Sequence, residues 1–469
     1  IPLALELAAA QVGPLSLEGV RSRLGERLDL LRRRSGPGRH QTLRAAVTWS
    51  YELLSPPEQA LFRRLAVFRG GVFDDTARSV FGAESELLPV LARKSLLAVE
   101  AHPDQPRWRL LESVRLHADE LLVESGEAQD LRRRHLDAYL AVAERAEAGL
   151  AGPQQGAWLE RLEADRANCA AALRPGQHGE PEQRLRLAVA LHRFWLIRGH
   201  LGEGRARLEE AIAAAPEPGL LRARALNAAA GLAWRQGDFP AARAHLEESL
   251  ELHRRLEAGG ARDLLANLGV LASSEGDYAT AARHYRECLE RDRGRAAGDR
   301  ASAILESNLG LALVELGSLE EARAHLEAAL AELRRQSEPA LVGSALVNLA
   351  ILEVRVGALP QARLLLAESV EILNEVGASP ELASALEVLA SLAVREARPE
   401  LALTLAGAAD RLRSEVRAPI SPGALRRLEA ALAGARESLG AGAERLFEEG
   451  TRLSPRAAAD LSLRPSPSA

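Results

Sequence analysis

The sequence predicts a mostly α protein, a winged-helix domain followed by an α-solenoid of helical hairpins. Three observations predict it. Alanine, leucine, arginine and glutamate dominate while aromatic residues make up only 3% of 469, the composition of a helical chain. From about Leu185 to Ala409 one pattern returns about every forty residues. Its turn glycines Gly199, Gly237, Gly276, Gly317 and Gly357 are spaced by 38, 39, 41 and 40, and a fixed period of this size marks stacked supersecondary units. Ahead of the repeats, helical stretches lead into two apolar runs, Ser95–Glu100 and Arg107–Leu111, around the polar turn His102-Pro103-Asp104. Those runs read as a β-hairpin, and helices followed by a hairpin make a winged helix.

In chain order, residues 1–41 open on the apolar helix Ile1 to Ala10, with Pro2 in its first turn, where proline is tolerated. The basic stretch Arg32 to His40, broken by Gly36, Pro37 and Gly38, reads as a solvated linker or as a phosphate contact. Residues 42–125 form the winged helix. Leu43 to Leu53 is an amphipathic helix, Ser55-Pro56-Pro57-Glu58 is a capping box that starts a helix through Phe68, and Gly70-Gly71 stops it. A third helix covers Asp74 to Phe81 and a fourth Glu86 to Arg93, before the hairpin. Residues 126–180 are a helical coupling segment, Leu131 to Leu150 and Trp158 to Leu173, closed by the break Pro175 to Pro181. Residues 181–415 are the repeats. Residues 416–469 hold helices from Pro422 to Leu439 and Ala443 to Gly450, a short helix capped at Ser454, and the tail Pro465 to Ala469, expected to be disordered.

The physics of one repeat follows from its residues. A glycine closes the first helix, where the left-handed conformation costs other residues more. The next residue but one is Phe239, Tyr278, Leu319 or Leu359, large and apolar, placed to tuck under the turn. A small alanine then opens the second helix (Ala242, Ala281, Ala322, Ala362) and lets the pair approach closely. A single hairpin cannot bury its apolar face; a stack can. The last unit has Ala397-Arg398-Pro399 where the others have glycine and a large apolar residue, as expected of an end.

The composition bounds the chemistry. A net charge of −5 does not argue for nucleic-acid binding by the chain as a whole. Cys169 and Cys288 lie far apart in helical patterns and read as small core residues of a reduced, cytoplasmic protein. No stretch approaches 18 uninterrupted apolar residues, so no transmembrane helix is expected. Methionine is absent, which leads to the expectation that Ile1 is not the natural start. The only lysine, Lys94, follows Leu91-Ala92-Arg93 without glycines, so no phosphate-binding loop is present and no enzyme activity is expected. Gly-x-Ser-x-Gly, His-Glu-x-x-His and Cys-x-x-Cys are missing too, and the scattered histidines read as solvated helix positions. No metal site is expected. The helix Asp74 to Phe81 begins with two acidic residues, unfavourable against phosphate, so the winged helix reads as a packing module. A DNA-reading alternative would rest on Arg78, Arg107 and Arg109.

Asn267-Leu268-Gly269, Asn308-Leu309-Gly310 and Asn348-Leu349-Ala350, with the Gly-Asp-Tyr/Phe and alanine positions, resemble tetratricopeptide repeats. The period exceeds that family's value of about 34. Pro2-Leu3-Ala4-Leu5-Glu6-Leu7-Ala8-Ala9, Arg39 to Ala46, Trp49 to Gln59, Phe68-Arg69-Gly70-Gly71, Lys94 to Leu97, Arg109 to Arg115 and Trp158 to Asn168 resemble, in order, the regulatory half of bacterial STAND ATPases of the LuxR/AfsR-like group. The resemblance covers nearly the whole chain. It implies that residues 1–41 end an ARC-like helical region, that Pro2 is the proline lying against adenine, and that ATP or ADP belongs to a P-loop domain upstream in a full-length parent. Leu111 stands where related NB-ARC proteins carry the phosphate-touching histidine of the Met-His-Asp motif, a departure from that pattern. The ending is similar to the segment before a LuxR-type helix-turn-helix.

The expected function is therefore signal sensing and regulation. The repeat array would bind an inducer or a partner protein, and the winged helix would restrain the upstream P-loop domain in cis. Contact with DNA would come only through a further domain, and no membrane is involved. Arg235, Asn267, Asn308 and Asn348, on the inner helices, are the candidate partner-binding residues. The asparagines equally read as local hydrogen bonds between stacked repeats. A DNA-binding regulator using its own winged helix, and a plain scaffold, are the alternatives.

Overall fold

The computed structural model describes residues 39–102, 105–150, 154–174, 181–256, 261–291, 300–416 and 419–462. The readings placed on residues 1–38, Pro2 among them, and on the tail beyond 462 lie outside these. The chain divides into two compact units, Ile1–Ala229 and Ala230–Ala469.

In the first unit α1 (Arg39–Glu52) and α2 (Pro56–Arg64) lead through a 3-10 turn, Leu65–Val67, to β1 (Val72–Phe73). Then come α3 (Asp74–Phe81), a second 3-10 segment, Gly82–Leu87, and α4 (Leu88–Arg93). The hairpin is β2 (Ala98–Glu100) and β3 (Arg107–Arg109). The sheet order is β1-β3-β2, antiparallel throughout, with Trp108 opposite both Val72 and Val99. Helices α5 (Glu112–Glu124), α6 (Ala128–Gly149), α7 (Gln155–Ala172), α8 (Pro181–Arg198) and α9 (Leu201–Ala214) complete it.

The capping box at α2 is present: the Ser55 amide donates to the Glu58 carboxylate at 2.8 Å. Lys94 Nζ reaches the same carboxylate at 2.8 Å. Burial pushes the Glu58 carboxyl up, but the bonds from Lys94 and Ser55 outweigh it and hold the group below its ordinary range. The single lysine thus pins α2 to the end of α4. Several expected boundaries shift by a few residues, as at Arg39, Ala128 and Gln155, where helices start three or four residues early. The helix expected to reach Phe68 tightens to 3-10 after Arg64, and the one expected from Glu86 starts at Leu88, as helix ends commonly do. Strand β1 went unread because two residues show no period.

Helix α10 (Leu220–Arg235) carries the boundary between the units. The second unit continues with α11 (Phe239–Arg255) and the hairpins α12 (Ala261–Glu275) with α13 (Tyr278–Arg291), α14 (Arg300–Leu316) with α15 (Leu319–Arg335), α16 (Pro339–Val356) with α17 (Leu359–Glu375), and α18 (Ser379–Arg395) with α19 (Pro399–Glu415). Helices α20 (Pro422–Leu439), α21 (Gly442–Thr451) and α22 (Pro455–Ser462) follow. Each second helix packs on its own partner and on the first helix of the next hairpin, so one continuous core runs through the stack.

The turns behave as the repeat pattern requires. Gly237, Gly276, Gly317 and Gly357 all have φ between 78° and 87°. At Gly317 the chain makes paired bonds, Gly317 N to Val314 O and Ser318 N to Leu313 O, which close the helix end. Phe239, Tyr278, Leu319 and Leu359 are half-buried against the core, and Ala242, Ala281, Ala322 and Ala362 are fully buried. Ala397, in the atypical last turn, takes the same conformation without glycine, at φ 56°. Helix α16 has the length and mean hydropathy (1.5) of a membrane span, but it packs in the solenoid core with Leu346, Ala350 and Leu352 buried and half of its length covered.

Candidate functional site

The first helices of the hairpins in the second unit share one face. A cavity of about 450 Å³ opens there. Its walls come from α10 (Trp234, Arg235), α16 (Asn348) and α18 (Glu381, Ser384), and its rim from Pro419 to Pro422 ahead of α20. Helix α20 straps this face, packing on α12, α18 and α19. Arg426 Nη2 donates to the Glu275 carbonyl at 2.6 Å, and Arg427 donates to Tyr278 Oη at 2.5 Å and lies 3.3 Å from Glu315. Beyond the strap a second cavity of about 480 Å³ holds Arg355, Arg395 and Glu315.

Most charges along these hairpins are spent on each other. Arg243, Arg323 and Arg363, each directly after the alanine that opens a second helix, reach Glu275, Glu353 and Glu396 of the following hairpin. This ladder was legible as an Ala-Arg pair at a forty-residue period but was not read from the sequence. Arg235 and Glu381, like Arg395 in the neighbouring cavity, make no ion pair and no side-chain hydrogen bond among the described residues, and both line the 450 Å³ cavity. Trp234 and Phe239 supply its apolar wall. A cleft with one free charge of each sign, aromatic surface and hydroxyls is suited to an extended polar segment, which brings backbone groups and side chains of both signs.

The structure brings two of the four candidate partner-binding residues together: Arg235 and Asn348 line the cavity, whereas Asn267 and Asn308 do not. Asn348 Nδ2 also donates to Ser307 Oγ of the preceding hairpin at 3.0 Å, so the stacking reading holds for it. Asn267 is exposed and Asn308 half-buried. Trp234, Glu381 and Glu387 were missed, because nothing in the repeat pattern tells which first-helix residues face the groove.

In the first unit a buried polar network ties the hairpin to α7. Arg107 pairs with Asp165 at 3.1 Å and donates to the Gly70 and Ala164 carbonyls at 3.1 and 2.7 Å. Asp165, fully buried, also accepts from Tyr139 at 3.3 Å and from Arg161 at 2.9 Å. Asn168 accepts from the Arg69 amide at 2.6 Å and donates to the Gly71 carbonyl at 2.8 Å. Arg161 lies over the Phe73 ring at 3.9 Å and pairs with Asp75 at 2.8 Å. Burial pushes the Asp75 carboxyl up, yet Arg161 holds it below its ordinary range. The Phe68-Arg69-Gly70-Gly71 run is thus a docking edge for Asp165 and Asn168. Gly71, at φ 108°, lies so close to β3 that an added Cβ would sit 2.9 Å from the Trp108 carbonyl.

This network also bears on DNA reading. Arg107 is buried and spent on Asp165, Arg78 pairs with Asp74 at 2.8 Å, and Arg109 pairs with Glu100 at 2.7 Å. Arg107 is thereby withheld from a duplex, whereas the Arg78 and Arg109 side chains stay 69% and 42% exposed in surface ion pairs. The solvated reading of the histidines is corrected at His135 and His253, both buried: their charged sequence neighbours lie on other faces of the helices. Leu111 is partly exposed at the start of α5. Among the described residues no three His, Cys, Asp or Glu side chains gather as metal ligands.

Fold and groove define a helical-repeat protein with a cleft on one face of its hairpins. Residues 221–294 and 300–375 match the tetratricopeptide repeat family model. A candidate HTH-type transcriptional regulator of Mycobacterium tuberculosis is 39% identical over 215 residues, 44% of this chain and 24% of that protein. An uncharacterized protein of the same organism is 41% identical over 146 residues, 29% of this chain and 37% of the relative. The match with the first spans about a quarter of the relative's length. Among solved structures, a Rap protein complexed with competence and sporulation factor is 14% identical, with a TM-score of 0.49 over 67% of this chain and 90% of that one. A STAND protein with a tetratricopeptide repeat sensor from Pyrococcus horikoshii is 14% identical, with a TM-score of 0.44 over 98% of this chain and 71% of that one.

Proposed function

We propose that this chain is the signal-sensing and regulatory portion of a STAND-type ATPase and transcriptional regulator, and that the groove holding Arg235 and Glu381 takes a peptide segment of a partner protein. The observation that carries the groove reading is the pair of opposite charges, Arg235 and Glu381, that line a 450 Å³ cleft without an ion pair among the described residues, while Glu387 and Arg413 of the same lining pair with each other. In this reading residues 42–125 form a winged helix and the Asp165–Asn168 network holds it rigidly to α7, so that restraint of a P-loop domain in cis is passed through a stiff element. Occupancy of the groove shifts a two-state balance only insofar as the partner binds one arrangement more tightly. ATP or ADP belongs to the P-loop domain of the parent, and the setting is cytoplasmic.

Panning a random peptide library against the full chain tests the groove. Peptides recovered from it are expected to lose about tenfold or more in affinity with Arg235→Ala or Glu381→Ala, the scale of one charged contact. Peptides indifferent to both substitutions would remove the groove reading. The regulatory reading is tested separately on the coding DNA upstream of Ile1: a Gly-rich loop ending in Gly-Lys-Ser/Thr supports it, and a start codon immediately before Ile1 with no such loop encoded beside it overturns it.

A further inference from the structure

A small cavity in the first unit has a different chemistry. It lies where the end of the 3-10 turn after α2 meets α5, α6 and the end of α7, and its space is about 30 Å³. Arg69, Arg132 and Arg174 line it, with His135 and one carboxylate, Asp119. The three guanidinium groups make no ion pair and no hydrogen bond among the described residues. The buried and half-buried arginines around them are paired instead. Arg63 and Arg64 share Glu127, Arg107 and Arg161 share Asp165, and Arg115 holds Glu112. Three like charges answered by a single carboxylate, Asp119, repel, and a folded chain keeps such a group where something more negative answers it.

Two further observations point the same way. His135 is 97% buried, being 3% exposed, and its Nε2 has no hydrogen-bond partner. An orphaned buried polar atom costs about 1–3 kcal/mol, and a site that supplies its partner removes that cost. Arg69 is disfavoured in its charged form first by burial and then by the nearby Arg115, which Asp119 offsets only in part.

We propose that Arg69, Arg132, Arg174 and His135 form a binding site for a tetrahedral oxyanion of phosphate size. The volume sets the ligand class. Thirty cubic ångströms admits about two water-sized atoms, so two oxygens enter and the remaining two stay at the mouth, where Arg174 is exposed. A nucleoside or a carbohydrate is excluded from the cavity itself, and a phosphoryl end attached to something larger is not. Arg69 and Arg132 line the cavity with His135 and supply the charge, and the His135 Nε2–H tautomer donates a hydrogen bond without needing one. Nothing in this proposal depends on the groove of the second unit.

Calorimetric titration of the full chain with inorganic phosphate, at constant ionic strength held with chloride, tests it. One saturable site is expected. Arg132→Gln and Arg174→Gln, chosen because both side chains reach the surface and leave the core intact, are each expected to weaken it about tenfold or more, the scale of one charge-assisted hydrogen bond. Arg186→Gln, on the same unit and paired with Glu144, changes net charge equally and is expected to leave binding unchanged. Phenyl phosphate distinguishes the sources: if it binds as phosphate does, the site accepts a phosphoryl group carried by a larger ligand, and if only phosphate binds, the ligand is the free ion. No saturable binding of either, or equal weakening by Arg186→Gln, overturns the proposal.

Discussion

At the scale of single residues, the decisive groups are those whose charge is buried. Asp165 accepts from Arg107, Arg161 and Tyr139 with no solvent contact. Arg107→Ala removes one of the two guanidinium partners of a buried carboxylate that Arg161 still answers, and costs about 3 kcal/mol, the low end for a broken buried pair. Urea unfolding of the variant is expected to show that loss; a change below about 1 kcal/mol would mean the pair behaves like a surface ion pair. His135 gives a pH signature. Burial above all depresses its pKa from 6.5 to about 4. The unfolded chain therefore binds this proton more readily, and the stability that comes from keeping the imidazole neutral is present above about 6.5 and lost as pH falls towards 4. At about 1.36 kcal/mol per pH unit the loss approaches about 3 kcal/mol. Glu127 is pushed up by burial and drawn down by Arg63 and Arg64 to about 2, so its own contribution is lost only below about 4.5. Urea midpoints between pH 7.5 and 5 are expected to fall for the parent chain and to fall less steeply for His135→Gln, in which His117, His192 and His284, also depressed first by burial, still titrate; equal slopes would mean that His135 contributes nothing.

At the scale of elements, helix ends and helix crossings carry the argument. Gly357 closes α16 at φ 85° with open space around it, so Gly357→Ala meets only the left-handed backbone penalty, about 1–2 kcal/mol. Gly407 of α19 and Gly450 of α21 differ: an added Cβ would lie 2.0 Å from the Phe447 carbonyl at the first and 2.1 Å from the Thr404 carbonyl at the second. Two backbones meet there with no side chain between. Gly407→Ala is expected to detach α21 without unfolding the hairpins, so hydrogen exchange should rise across 442–451 while 300–375 stays protected. Equal exchange in both segments would mean that α21 is not held by this crossing.

At the scale of the whole molecule, the two buried cysteines report on the two units separately. Cys169 belongs to the first and Cys288 to the second, and both are free thiols in the core. Burial pushes the Cys169 thiol far above its ordinary range, which keeps it unreactive in the fold. Iodoacetamide is therefore expected to modify neither in native buffer. In rising urea the two sites are expected to react with separate midpoints, because each unit has its own core. Coincident midpoints would mean one cooperative structure.

The repeat architecture was legible before any coordinates because its causes are local and periodic. A left-handed residue is needed at each turn, a small one at each close approach and a large one under each turn, and all three recur at fixed spacing. The same holds for the capping box at Ser55 and for helix α3, read at Asp74 to Phe81 and found there. Local pattern could not tell which side of a repeat faces the groove, so Arg235 and Asn348 meet in the cavity while Asn267 and Asn308 do not. Nor could it bring Asp165 to Arg107 across 58 residues, or draw Arg69, Arg132 and Arg174 to one cavity from three separate elements. Periodicity belongs to the sequence because each repeat solves the same local problem; charge pairing and its failures belong to the fold because they depend on which distant elements pack together.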